Sequence, residues 1–208
     1  MTKPERRKQV IVGITGASGA VYARGLVRCL CEADVDVHLI VSPNGQRLLR
    51  EELDLKEVSP RALVGRETQR VVAYPYRDVG ATLASGGFQT DAMIICPCSS
   101  NTLGSLANGL ANNLLDRAAA VTLKEARRLI VVPREMPTSR IDLLNLLRLS
   151  EAGAIICPAS PGFYMRPTGI DDLVDFVVGK ILDLVAVPHR LNTRWGEPLD
   201  EVRGDAEQ

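Results

Sequence analysis

The chain has 208 residues, 46% hydrophobic and 24% charged, which suits one globular domain with a sizeable core and excludes a disordered chain. Its 25 basic residues balance 25 acidic ones, so neither nucleic acid nor an anionic membrane is expected as the main partner. No apolar stretch approaches a membrane span, and the polar, basic start Met1 to Gln9 does not read as a secretory leader, which points to the cytoplasm.

A β-branched strand begins at Val10 and stops at Thr15, where the small-residue turn Gly16-Ala17-Ser18-Gly19 feeds a helix over Ala20 to Glu32. Glycines let the backbone turn tightly and leave amides uncovered at the positive end of that helix. Two readings stand for this turn: a receptor for an anion or a polar ring edge, or an ordinary connection that needed small residues. It matches neither G-x-G-x-x-G nor the P-loop. Asp36 to Val41 is a strand closed by Ser42-Pro43, and Gly45 to Glu52 is a helix. From Leu53 to Thr90 the pattern breaks into short pieces. Ala92 to Cys96 is a strand ending at Pro97, the stretch Ser99 to Asn113 is small and polar, and a helix runs from Leu114 to about Arg128. A strand over Leu129 to Val132 ends at Pro133, a helix covers Ser139 to Glu151, a strand over Ala154 to Cys157 ends at Pro158, and a long helix covers Ile170 to Val185. The polar tail 186–208 carries Trp195, the only tryptophan, and the whole of 1–208 reads as one domain.

Short continuous apolar strands alternating with helices predict an α/β fold with a parallel sheet covered on both faces. Pro43, Pro97, Pro133 and Pro158 each follow a strand, and proline lacks the ladder N–H, so each is expected to halt its strand at the carboxyl edge. Ligands of open α/β sheets bind outside that edge. The segments gathered there are Gly16–Gly19, Ser42–Gly45, Pro97–Thr102, Pro133–Pro137 and Pro158–Tyr164, which are rich in Ser, Thr, Asn, Gly and Arg.

Other features carry two readings each. Lys180 lies in an apolar stripe between Phe176 and Leu184, either snorkelling or facing a buried anion. Arg117 and Lys124, two helical turns apart, form either a solvated basic face or part of an anion site. Arg134-Glu135 directly follows a buried strand, either as a rim ion pair or as a phosphate clamp beside a proton carrier. The five cysteines give neither a disulfide framework nor zinc spacing and read as buried thiols, and the two histidines are His38, mid-strand, and His189, in the tail.

With these residues assembled, the sequence resembles the flavin prenyltransferases, the UbiX-like family of the flavin-containing cysteine-decarboxylase-like superfamily, from Val10 to about Glu197. The motifs are Thr15-Gly-Ala-Ser-Gly19, Cys96-Pro-Cys-Ser-Ser-Asn-Thr102, Leu123-Lys-Glu125, Val132-Pro-Arg-Glu-Met-Pro137, Pro161-Gly-Phe-Tyr164, Asp172-Leu-Val-Asp-Phe176 and Arg194-Trp-Gly-Glu197. The resemblance implies a flavodoxin-like or Rossmann-like three-layer sandwich, a homododecamer, and an FMN site at subunit interfaces. It implies transfer of the dimethylallyl group of dimethylallyl phosphate to N5 and C6 of reduced FMN, giving prenylated FMN for a UbiD-like decarboxylase. Carried over by motif, Gly16, Ala17, Ser18, Ser42, Ser99, Ser100, Asn101, Thr102 and Arg134 contact the flavin. Arg117, Lys124, Arg134, Tyr164 and Lys180 hold the prenyl phosphate, Ser18, Glu52 and Glu135 assist proton movement, and Trp195 lies near the allyl group. The sequence shows no Asp-rich metal motif, so clustered Lys and Arg are expected to stabilise the leaving phosphate without metal. One departure is Gly87, where relatives are expected to carry Ser. Competing expectations are an FMN-dependent cysteine decarboxylase of the same fold, which needs a catalytic histidine, and a flavin-binding or electron-transfer protein without chemistry of its own.

Overall fold

The computed structural model describes residues 6–191. Its strands are β1 (Gln9–Ile14), β2 (Asp36–Val41), β3 (Val71–Tyr74), β4 (Ala92–Cys98), β5 (Arg128–Pro133) and β6 (Ile155–Ile156). They form one parallel sheet in the order β3-β2-β1-β4-β5-β6. The helices are α1 (Ala20–Glu32), α2 (Pro43–Leu53), α3 (Pro60–Val64), α4 (Ser100–Ala107), α5 (Leu114–Lys124), α6 (Arg140–Glu151) and α7 (Ile170–Leu184), with one 3₁₀ turn at Thr82–Ala84. The chain winds outward from β1 through β2 to β3, then crosses back to β4 and winds the other way. The two halves part at the carboxyl ends of β1 and β4, the switch point where doubly wound sheets hold their ligands.

Side chains alternate across each buried strand, which makes two cores. Val10, Val12 and Ile14 pack under Leu26, Leu30, Val178 and Ile181 of α1 and α7. Ile11, Met93 and Ile95 face Leu103, Leu114 and Leu115 of α4 and α5. Both faces of β1 and β4 are covered, which is why their sequences read as unbroken apolar runs.

The structure differs from the sequence expectations in four places. The weak region contains α3, the 3₁₀ turn and the edge strand β3, a short strand in which only Val71 is buried. The polar stretch after Ser99 contains α4, capped by the Ser99 side chain and anchored by buried Leu103 and Leu106. Helix α5 stops at Lys124, and Arg128 already belongs to β5. Pro97 does not end its strand: β4 pairs with β1 as far as Ile95, then shifts register so that Cys98 meets Pro133 of β5. The missing N–H of Pro97 falls in that irregularity, where no ladder bond needs it.

Helix α6 is turned against its own composition. It buries Asp142 and Asn145 with Leu149, while Ile141, Leu143, Leu144 and Leu147 stay exposed, Ile141 at 71%.

Candidate active site

The rim at the switch point is built from hydrogen bonds that join distant segments. Above the last β1–β4 pair, Gly13 with Ile95, the Thr15 amide and hydroxyl both donate to the Pro97 carbonyl, at 3.2 and 2.8 Å. The same hydroxyl accepts from the Ser99 amide at 2.8 Å. Ser99 accepts in turn from the Thr102 amide at 3.4 Å and donates to the Thr102 hydroxyl at 3.2 Å, which starts α4. From β5, the Arg134 Nε donates to the Ser18 carbonyl at 3.0 Å, and the Ser100 hydroxyl donates to Glu135 at 3.1 Å. Three segments separated in sequence therefore meet around one opening.

The Gly16–Gly19 turn ends with Gly19 at a φ of 118°, a conformation open to glycine, and α1 has no acid in its first turn. Its positive end is met from α2: one Glu52 carboxylate oxygen accepts from the Gly19 amide at 2.9 Å and the Ala20 amide at 2.8 Å. A carboxylate there satisfies two orphan amides and opposes the helix dipole. The start of α1 is thus filled by an internal anion. Ser42 is buried and accepts from the Gly45 amide at 3.0 Å as the cap of α2. Gly45 is required, because a Cβ there would lie 2.6 Å from the Ile14 carbonyl oxygen.

Of the residues expected to hold flavin, Gly16, Ala17, Ser18, Ser42, Ser99, Ser100, Asn101, Thr102 and Arg134 all gather at this carboxyl edge. Ala17, Ser42 and Thr102 are buried, while Ser18 and Asn101 are exposed with side chains unpartnered among the described residues. Arg134 uses only Nε there, leaving both terminal nitrogens toward the opening. A cavity of about 330 Å³ beside Arg134 and Glu135 is walled by Ser100, Leu103, Pro133 and Leu146. Unused hydroxyl, amide and guanidinium donors along one carboxyl edge, with Arg134 also lining a partly apolar cavity, suit a planar ring with polar edges and an anionic tail, so these residues fit FMN.

The phosphate residues do not converge within one chain. Tyr164 packs edge-on against Phe176, ring centres 5.6 Å apart, beyond β6. Lys180 is exposed, so its head is not buried in the apolar stripe; it opposes the burial that pushes the Cys157 thiol upward. Arg117 donates to the Ala84 carbonyl at 3.3 Å, and Lys124 pairs with Glu125 at 3.7 Å where α5 ends, near the amino edge. A six-residue strand spans roughly 20 Å, so Lys124, before β5, and Arg134, after it, lie at opposite edges of the sheet. Trp195 lies outside the described residues. Gly87 has open space: a Cβ there would meet only the Ser85 hydroxyl at 3.6 Å, so nothing nearby enforces glycine over serine.

Neither histidine reaches the rim. His38 is buried in β2 between Gln9, at 2.6 Å, and the Tyr74 hydroxyl, at 3.2 Å, and burial holds its pKa below the usual value. His189 lies 3.2 Å from Asp183 beyond the end of α7. Cys31, Cys96 and Cys98 are buried thiols, as expected; Cys29 and Cys157 are half-buried, and burial pushes Cys29 up to about 11. Among the described residues no group of three His, Cys, Asp or Glu could hold a metal ion, and no helix is long and apolar enough to cross a membrane. The expectations missed two connections at the site, the Thr15 bridge and the Glu52 cap. The first would have shown as a hydroxyl at the last position of a buried strand; the second has no local signal.

A family model described as Flavoprotein matches residues 1–182. A protein named flavin prenyltransferase UbiX from Halalkalibacterium halodurans is 47% identical over 194 residues, covering 91% of this chain and 94% of that one. One of the same name from Pseudomonas aeruginosa is 42% identical over 205 residues, covering 95% and 97%. The crystal structure of AnUbiX in complex with FMN and dimethylallyl pyrophosphate superposes with a TM-score of 0.85 at 36% identity, covering 93% of this chain and all (100%) of that one. A dodecameric FMN-dependent Ubix-like decarboxylase from Escherichia coli gives a TM-score of 0.81 at 39% identity, covering 91% and 100%.

Proposed function

Since the chain belongs to the Flavoprotein family, and within it to the flavin prenyltransferases of the UbiX type, we propose that it joins the dimethylallyl group of dimethylallyl phosphate to N5 and C6 of reduced FMN, releasing prenylated FMN. The observation that carries this reading is the meeting of Arg134 and Glu135 with the Gly16–Gly19 and Ser99–Thr102 segments at the switch point. Reduced FMN supplies the electron-rich nitrogen and carbon that the allyl group joins. The protein's part is to hold the ring, stabilise the departing phosphate and move protons. Gly16, Ala17, Ser18, Ser99, Ser100 and Asn101 would hold the flavin ring at this edge. Ser42 acts through the turn it caps, and Thr102 through the first turn of α4, where its amide donates to the Ser99 cap. Arg134 holds charge on the phosphate with two free nitrogens while Nε fixes the Ser18 backbone. Ser18 and Glu135 are the exposed proton carriers. Glu52 has one carboxylate oxygen committed to α1 and the other available for the same task.

Arg117 and Lys124 reach the phosphate of Arg134, Tyr164 and Lys180 only from a neighbouring copy, since one chain holds Lys124 and Arg134 at opposite edges of its sheet. The exposed leucines of α6 and the dodecameric relative support assembly from copies of this chain, a dodecamer in our reading. The chain acts as a single domain in the cytoplasm, and its product serves a UbiD-like decarboxylase. The cysteine decarboxylase alternative lacks support from the histidines, both of which are held away from the rim.

The test is anaerobic incubation with reduced FMN and dimethylallyl phosphate, followed by the mass of the flavin. A gain of one isoprene unit is expected, and unmodified flavin, with the pyrophosphate also inactive, refutes the reading. Glu135→Gln should bind FMN normally and form product at least about 100-fold more slowly, the low end of a general acid–base contribution. Unchanged turnover removes Glu135 from the reaction.

A further inference from the structure

We infer that Thr15 is a positioning residue of the flavin site, its hydroxyl holding the Gly16–Gly19 turn in register with the Ser99–Thr102 start of α4 that follows β4. The inference rests on the flavin reading above. Backbone pairing between β1 and β4 ends at Gly13 with Ile95, and two residues later Pro97 has no N–H to offer. Diverging strands at a switch point would leave the two rim segments free to separate. Thr15 closes that gap with its side chain. The hydroxyl donates to the Pro97 carbonyl at 2.8 Å and accepts from the Ser99 amide at 2.8 Å, so its proton and one lone pair are spent on the end of β4 and the cap of α4. The Thr15 amide adds a third bond to the same carbonyl at 3.2 Å.

Burial makes this bridge stiff. Thr15 is 1% exposed, so water cannot replace either bond. Its consequences fall on both walls of the site. The turn carrying Ser18 starts at the next residue, and Ser99, held directly, sets the first turn of α4 and with it Ser100 and Asn101. A hydrogen bond made for stability alone could be lost without changing the gap between the walls. This one, together with the Thr15 amide, sets the spacing of Thr15 from Pro97 and Ser99. A methyl group in place of the hydroxyl would keep the volume, leave the Ser99 amide unpaired and loosen the Ser99 wall, with only the Thr15 amide still bound to Pro97.

The test compares Thr15→Val, which matches the shape, with Thr15→Ser, which keeps the hydroxyl. FMN affinity is measured by flavin fluorescence quenching, ring geometry by visible circular dichroism of the bound flavin, and folding by thermal melts. Thr15→Ser is expected to bind FMN within about twofold of wild type, and folded Thr15→Val about tenfold more weakly, equivalent to ~1.4 kcal/mol, with an altered dichroism band. Wild-type affinity and dichroism in a folded Thr15→Val, whatever its melting temperature, overturn the inference, as does a tenfold loss in folded Thr15→Ser. If Thr15→Val does not fold, hydrogen exchange of the Ser99 amide in the wild-type protein decides. Protection should rise at least about tenfold on FMN binding because the flavin closes the walls over the bridge, and unchanged protection overturns it. Failure of the wild-type protein to bind FMN refutes the flavin reading instead.

Discussion

Replacing Glu52 with alanine should weaken the start of α1 in a way that added phosphate partly repairs. The carboxylate oxygen accepts from two consecutive amides, at 2.9 and 2.8 Å, on a helix with no acid of its own in the first turn. Charge-assisted hydrogen bonds contribute about 1.5–3 kcal/mol and a helix cap about 0.5–2 kcal/mol. Glu52 is exposed, so solvent competes and the low part of these ranges applies, roughly 1.5 kcal/mol. For a chain of this size 1 kcal/mol moves the melting temperature by about 2–4 °C, which predicts a fall of about 3–6 °C. Glu52→Gln keeps an acceptor and loses the charge, and should fall about half as far. The alanine variant also uncovers two amides and a positive dipole, the elements of an anion site. Differential scanning fluorimetry at constant ionic strength, with chloride exchanged for phosphate, should therefore raise the alanine variant's melting temperature more than the wild type's. A variant that melts within about a degree of wild type, with no added response to phosphate, would show that the carboxylate is not what satisfies the helix.

Two further outcomes test how the rim is supported. Gly45→Ala places a methyl 2.6 Å from a backbone oxygen of β1, which cannot rotate away, so α2 must shift and stability should fall by about 1–3 kcal/mol in denaturant unfolding; an unchanged midpoint would contradict the close approach. Asp142 lies in a capping box with Ser139, whose hydroxyl holds its pKa below the usual carboxylate value. A depressed folded pKa means its stabilisation is complete above the unfolded value of about 3.9 and is lost as pH falls through the lower folded value. Asp142→Asn should flatten the stability profile across that acid window, and a profile parallel to wild type would refute the assignment.

What could be read from the residues depended on how far each signal travels along the chain. Strands β1, β2, β4 and β5 were legible because both faces are covered and their apolar runs are continuous. Strand β3 was not, because an edge position lets Val72 and Ala73 face solvent. Helix α4 was hidden in Ser-Asn-Thr-Leu-Gly-Ser-Leu-Ala, whose helicity comes from the Ser99 cap and two buried leucines rather than from propensity. The rim was legible because four strand ends carry proline in segments rich in Ser, Asn, Gly and Arg, and proline marks a carboxyl edge even where, as at Pro97, the strand runs one residue beyond it. The Glu52 cap joins positions more than thirty residues apart, and the separation of Lys124 from Arg134 is a matter of helix direction across the sheet. Spacing along the sequence encodes neither.

Helix α6 has a consequence for how the protein is made. In the assembly proposed above, a helix that buries Asp142 and Asn145 and presents Ile141, Leu144 and Leu147 outward would leave a newly synthesised chain with adhesive surface until copies covered it. Its stability is then set by mass action, rising with the concentration of its own kind, and dilution acts as a denaturant. Expression level becomes a folding parameter: a scarce or slowly assembling pool loses chains to aggregation and proteolysis that an abundant pool would rescue by assembly.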